Sequence, residues 1–214
     1  MSYSVKEMYF TLQGEGAHTG RAAVFLRFAG CNLWSGRERD RAQAVCRFCD
    51  TQFVGTDGPG GGRFATADAL AEAVERHWPA EADDASRYVV CTGGEPLLQL
   101  DTAAIEALHA RQFEIGVETN GTIAAPDGID WLCVSPKANA PLVQTRGNEL
   151  KLVYPQDEPE AQPDCFLDLD FDHFYLQPMD SEATEANTRA TVAYCLAHPR
   201  WKLSLQSHKV VGID

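Results

Sequence analysis

Three cysteines in one short stretch carry the clearest chemical signal in this sequence. Cys31, Cys46 and Cys49 fall in CNLWSGRERDRAQAVCRFCDT, with fourteen residues between the first pair and two between the second. Three thiolates are one short of a closed zinc or iron–sulfur site, where four protein ligands are usual. An incomplete set leaves a position on the metal for a ligand that takes part in chemistry. Other readings stand beside this one. Cys46-Arg-Phe-Cys49 is also the spacing of a redox pair or half of a zinc knuckle, and His18 or Asp50 would complete a structural zinc site.

The run AAVFLRFAG reads as a buried strand ending in Gly30, so Cys31 is expected just past a strand's C-terminal end. Arg27, inside that strand, needs an anionic partner: a structural Asp or Glu, or a substrate carboxylate. Upstream, Glu7 to Gly16 begins strand-like and closes in a turn flanked by Gly14 and Gly16, with Gln13 and Glu15 on flexible backbone. Further strands are expected at Tyr88 to Cys91, Phe113 to Val117, Trp131 to Val134, Glu149 to Val153, His173 to Leu176 and Lys202 to Gln206. Polar groups follow them in turn: Thr92-Gly93-Gly94-Glu95-Pro96, Glu118-Thr119-Asn120-Gly121, Ser135-Pro136-Lys137, Gln177 and His208, while Lys151 sits mid-strand.

Between the strands, Thr66 caps a helix to about Trp78, with Leu70, Ala73, Val74 and His77 on one face. Asp101 caps another with Ile105 and Leu108 inward, and Ser181 starts the last, to about His198. GTDGPGGGRF, residues 55–64, lacks the ending of a nucleotide-binding loop and reads as a flexible connection. Alternating strands and helices indicate an α/β fold with a mainly parallel sheet, and fewer than eight units make an incomplete βα barrel. In such a sheet the strand ends converge on one rim, where sites form.

Composition narrows the class. A chain of 214 residues with 44% hydrophobic content is expected to form a single globular domain, residues 1–214. The net charge of −13 is uneven, +2 over residues 1–50 and −15 beyond, which disfavours a nucleic-acid backbone as partner. MSYSVKEMYF has no apolar run of a leader, and no segment approaches a membrane span, so a cytoplasmic location is expected. Seven cysteines in such a chain argue for thiols and ligands over disulfides. Cys91, Cys133, Cys165 and Cys195 are expected to be ordinary core residues.

The combination resembles the radical S-adenosylmethionine (SAM) enzymes, on Cys46 and Cys49 with Phe48 before Cys49 and on Thr92-Gly93-Gly94-Glu95-Pro96. It departs from their usual pattern in the fourteen residues after Cys31. Within that superfamily it is similar to the 7-carboxy-7-deazaguanine synthase family over nearly the whole chain. The further matches are Leu12-Gln13-Gly14-Glu15-Gly16, Arg27 to Leu33, Cys49-Asp50-Thr51, Glu118 to Gly121, Ser135-Pro136-Lys137 and Ser204 to Lys209.

This resemblance implies a 4Fe-4S cluster on Cys31, Cys46 and Cys49, with SAM on the open iron and no other catalytic group required. It implies SAM contacts from Phe48, Asp50, Gly94, Glu95, Asn120, Ser135, Pro136, Lys137 and Gln177. The implied substrate is 6-carboxy-5,6,7,8-tetrahydropterin, with Arg27 on its carboxylate and Leu12, Gln13, Gly14, Glu15, Thr92 and His208 around the pterin. Mg²⁺ on Thr51, an electron-donor protein of flavodoxin or ferredoxin type, and a homodimer are implied as well, with residues 32–45 as an insertion in the cluster loop 31–51. The rival readings are another small radical SAM enzyme, such as a glycyl-radical activase, and a zinc-stabilised interaction module.

Overall fold

The computed structural model describes residues 2–82 and 87–213. Nine strands form one sheet in the order β3-β1-β2-β4-β5-β6-β7-β8-β9, open because its end strands do not pair. They are β1 (Tyr3–Leu12), β2 (Ala22–Phe28), β3 (Gly62–Phe64), β4 (Tyr88–Gly93), β5 (Glu114–Thr119), β6 (Trp131–Val134), β7 (Arg146–Tyr154), β8 (Asp170–Pro178) and β9 (Trp201–Leu203). From β2 through β9 the neighbours are parallel, and β1 is antiparallel to both β2 and β3. This is the incomplete, mainly parallel barrel expected.

Register divides the sheet's two faces by chemistry. Leu26, Cys91 and Val117 align on one face, as do Val134, Leu150, Phe174 and Trp201, and all join the main core. Helices α1 (Ala67–His77) and α2 (Thr102–His109) cover that face with Leu70, Val74, Ile105 and Leu108, and α3 (Thr184–Ala197) packs beside β8 and β9. Since strand side chains alternate, the opposite face carries Arg27, Thr92, Glu118, Glu149, Lys151 and Gln177. One face holds the fold; the other holds polar chemistry.

The caps of α1 and α2 are those read from the sequence, whereas α3 begins at Thr184, past the expected Ser181, with no side-chain cap. Thr66 accepts from the Ala69 amide at 3.1 Å, and Asp101 from the Ala104 amide at 3.0 Å. Asp101 also accepts from the Tyr3 hydroxyl at 2.7 Å, tying β1 to α2.

Four expectations need correction. Residues 55–64 are not merely a connection: they end in β3, and their glycines press on β1. A Cβ on Gly61 would stand 2.2 Å from the Lys6 carbonyl oxygen, and one on Gly60 2.7 Å from that of Met8. The closing strand is shorter than expected, Trp201–Leu203, and Ser207–Val211 forms a short helix, α4. Strands β4, β5 and β8 run past their expected ends, so Thr92, Glu118 and Gln177 lie within strands. Cys165 is exposed in a 3-10 turn, whereas Cys91 and Cys133 are buried and Cys195 half-buried.

Candidate active site

A cavity of about 430 Å³ opens at the C-terminal ends of the parallel strands. The three cysteines form part of its wall. Cys31 follows β2, and the loop bearing the other two folds back over it. The Leu33 carbonyl accepts from the Val45 amide at 3.1 Å, and Arg41 donates to the Arg47 and Cys49 carbonyls at 2.8 and 3.0 Å. Trp34, Ala44 and Phe53 make a small core beneath, against which Cys31 and Cys49 pack, and the Arg41 guanidinium lies 4.2 Å over the Trp34 ring. The fourteen-residue insertion is thus a self-packed cover with a 3-10 turn at Glu38–Gln43.

The thiols are chemically unequal. The hydrogen bond between Cys46 and Cys49 lowers the Cys49 thiol and raises Cys46, while burial pushes Cys31 up. Cys49 is therefore the first to supply a thiolate. All three thiols are free and line one cavity, and a cubane takes each thiolate on a separate iron, so the set fits a cluster with one iron left without a protein ligand.

The glycine-rich turn after β4 supports Cys31 from below. The Glu95 amide donates to the Gly30 carbonyl at 2.9 Å, and Gly94 packs so closely that a Cβ there would stand 2.2 Å from that oxygen and 2.7 Å from the Cys31 Cβ. Glu95 is completely buried. Its carboxylate accepts from the Leu97 amide at 3.0 Å, the Thr119 hydroxyl at 2.7 Å and the Asn120 amide at 2.8 Å, while burial raises its pKa. Glu95 locks the ends of β4 and β5 together and, like Pro136, lies outside the cavity wall.

The remaining residues expected around SAM line the cavity: Phe48, Asp50, Gly94, Asn120, Ser135, Lys137 and Gln177, as does Thr51. The Lys137 ammonium donates to the Ser135 carbonyl and hydroxyl at 2.6 and 2.7 Å, and the Asn120 amide to Asn32 in the insertion at 3.0 Å. Residues expected around the substrate, Leu12, Gln13, Gly14, Glu15, Arg27, Thr92 and His208, also line it. For Arg27 the structural partner is present: Glu7, directly opposite on β1, accepts from its Nε at 2.8 Å. The Tyr9 hydroxyl accepts from its Nη2 at 3.2 Å.

The wall also holds Glu7, Tyr9, Lys151, Gln206 and Lys209, none of which had a contact assigned from the sequence, and Glu118, which was placed at the strand-end rim without a partner. Lys151 is 5% exposed and sits 2.5 Å from Glu15 and 3.5 Å from Glu118. Its signal was a lysine inside an apolar strand, which demands a counter-ion. Lys209 on α4 bridges Asp50 at 2.7 Å and Asp180 at 2.5 Å, and Ser207 holds the Gly14 carbonyl through its amide and hydroxyl at 2.9 and 2.8 Å. These contacts draw the C-terminal segment across the cavity mouth.

No helix among the described residues is long and apolar enough to cross a membrane. No family model matches the chain. Curated relatives do. The 7-carboxy-7-deazaguanine synthase of Caulobacter vibrioides is 67% identical over 213 residues, and that of Bradyrhizobium diazoefficiens 64% over 213, each covering 100% of both chains. Among solved structures, QueE from Escherichia coli superposes with a TM-score of 0.73 at 28% identity, over 97% of this chain and 95% of the other. With identity at this level along its whole length, and with the three-cysteine wall and strand-end cavity just described, the chain belongs to the 7-carboxy-7-deazaguanine synthase family.

Proposed function

We propose that residues 1–214 act as one radical SAM domain that converts 6-carboxy-5,6,7,8-tetrahydropterin to 7-carboxy-7-deazaguanine, with ring contraction and loss of ammonia. The observation that carries this reading is one cavity walled on one side by three free cysteines and on another by Arg27, Gln13 and Glu15. Cys31, Cys46 and Cys49 would hold a 4Fe-4S cluster. The chemistry supplied with cluster and SAM bound is one-electron cleavage of the sulfonium, which yields a hydrogen-abstracting radical.

The chain's own residues bind, orient and exclude water. Arg27 offers a guanidinium to the substrate carboxylate, and Glu7 holds it in place from β1. Gln13, Glu15, the Leu12–Gly14 backbone, Thr92 and His208 surround the pterin. Gly94, Asn120, Ser135, Lys137 and Gln177 take SAM, with Phe48 and Asp50 beside the adenosine. Thr51, which lines the cavity, would supply one hydroxyl to Mg²⁺, a cation that takes oxygen ligands. A homodimer, a donor of flavodoxin or ferredoxin type and a cytoplasmic location complete the proposal.

The test is anaerobic incubation of reconstituted protein with reductant, SAM and the carboxylated pterin, followed by mass spectrometry. The expected result is the deazapurine product, dependent on all three additions. Full cluster content with no product from that pterin would overturn the reading.

A further inference from the structure

Beneath the proposed pterin pocket, four side chains from three distant parts of the chain close into a ring. Lys151 on β7 meets Glu15 Oε2 at 2.5 Å, and the Glu15 backbone amide donates to Gln13 Oε1 at 3.1 Å. Gln13 Nε2 donates to Glu118 Oε1 on β5 at 2.9 Å, and Glu118 Oε2 returns to the Lys151 ammonium at 3.5 Å. Glu15 Oε1 accepts from Gln206 at 3.1 Å. Because Gln13 Oε1 accepts from the Glu15 backbone amide while Nε2 donates to Glu118, the Gln13 amide has one orientation. What the ring presents upward is acceptor character.

The geometry points to Lys151 as a positioning residue for substrate recognition. Its ammonium keeps Glu15 and Glu118 together as an acceptor floor, and this floor selects a ligand edge that carries adjacent N–H donors. This inference rests on the pterin reading above, since the 2-amino-4-oxo edge of a pterin has such a pair, a ring N–H beside an amino group. An ionised carboxylate only accepts; a protonated one donates and would oppose that edge.

Electrostatics agree with the geometry. Burial alone would raise Glu15, but Lys151 outweighs it, and with help from Gln206 and His208 holds the carboxyl below its ordinary range. Burial opposes the charge on Lys151, yet Glu118, Glu15, Cys133 and Glu149 together raise it well above the ordinary lysine value. One ammonium among these carboxylates leaves the floor with negative charge to spare. Removing that cation leaves Glu15 without the charge that offsets its burial, so its carboxyl takes up a proton more readily. A site built to hydrogen-bond an N–H loses its discrimination when its acceptor is lost.

The experiment measures pterin binding by calorimetry across pH, with cluster-loaded protein, for the wild type, Lys151→Met and Lys151→Arg. In the wild type, affinity is expected to be flat between pH 6 and 8 and to be much weaker for the analogue with a 2-oxo group. Lys151→Met is expected to bind the pterin at least about tenfold more weakly at pH 7, to recover as pH rises, and to lose preference over the 2-oxo analogue. Lys151→Arg restores most of the affinity, and iron content and SAM affinity stay unchanged in both variants. Should Lys151→Met fold poorly, the double variant Lys151→Met/Glu15→Gln removes one buried charge of each sign. Its affinity is expected to fall below that of Glu15→Gln alone, because Lys151 still holds Glu118 in the single variant. Unaltered affinity and pH profile in Lys151→Met, or a double variant that binds as tightly as Glu15→Gln, would overturn the role of Lys151. A wild type that fails to bind the pterin would instead overturn the substrate reading.

Discussion

Replacing Gly94 by Ala tests how the cysteine wall is supported. The added methyl would stand 2.2 Å from the Gly30 carbonyl oxygen and 2.7 Å from the Cys31 Cβ, against 3.4–4 Å for an ordinary contact. Relief requires the Gly30–Cys31 backbone to move by more than an ångström, because neither neighbour is a flexible side chain. Gly94 shows no positive φ, so the effect is steric and not conformational. Overpacking of this kind costs about 2–3 kcal/mol. For a chain of this size that lowers Tm by about 4–12 °C. The displaced Cys31 should also lose its place in the cluster, so anaerobic reconstitution is expected to give less iron per protein than the wild type. Gly62→Ala is the control, since its added methyl meets only Phe64, at 3.8 Å. A Gly94→Ala protein with full iron content and the melting temperature of the Gly62→Ala control would refute the argument.

Glu95→Gln replaces one carboxylate oxygen by an NH2 group, so either the Asn120 amide or the Leu97 and Thr119 pair meets a donor where it had an acceptor, and a buried mismatch of this sort costs about 1–3 kcal/mol. A lowered denaturation midpoint with an unchanged m-value is expected, and an unshifted midpoint would show that Glu95 does not lock β4 to β5. Thr51→Ala is expected to reduce turnover and abolish its dependence on added magnesium while leaving iron content intact; unaltered magnesium dependence would remove Thr51 as a ligand.

Much of this architecture was legible because local chemistry and tertiary structure agree. Thr66 and Asp101 cap the helices that their types announce, and polar residues gather where apolar runs end. The cysteines could be read as an incomplete ligand set from spacing alone. Other features were hidden because distant partners decide them. Strand β3 forms in a glycine-rich segment only because β1 offers an edge that bare backbone can approach. The partner of Arg27 was open between a carboxylate of the chain and one of a ligand, and the β1–β2 register, which places Glu7 opposite, supplies the first. Lys151 gave a warning in its sequence position, but Glu15 and Glu118 lie 136 and 33 residues away, so the ring they form was invisible before folding. The three internal donors to the Glu95 carboxylate come from Leu97, Thr119 and Asn120, and the two on β5 and its end could not be read from the residue's own position.

Three cysteines would leave one iron of a cubane accessible to SAM. Electron paramagnetic resonance of the anaerobically reduced protein, recorded with and without SAM, tests it most directly. A 4Fe-4S signal whose g-values shift when SAM is added is expected, with no such signal in the Cys31→Ala, Cys46→Ala or Cys49→Ala protein. A signal indifferent to SAM, or a colourless protein carrying zinc, would contradict it.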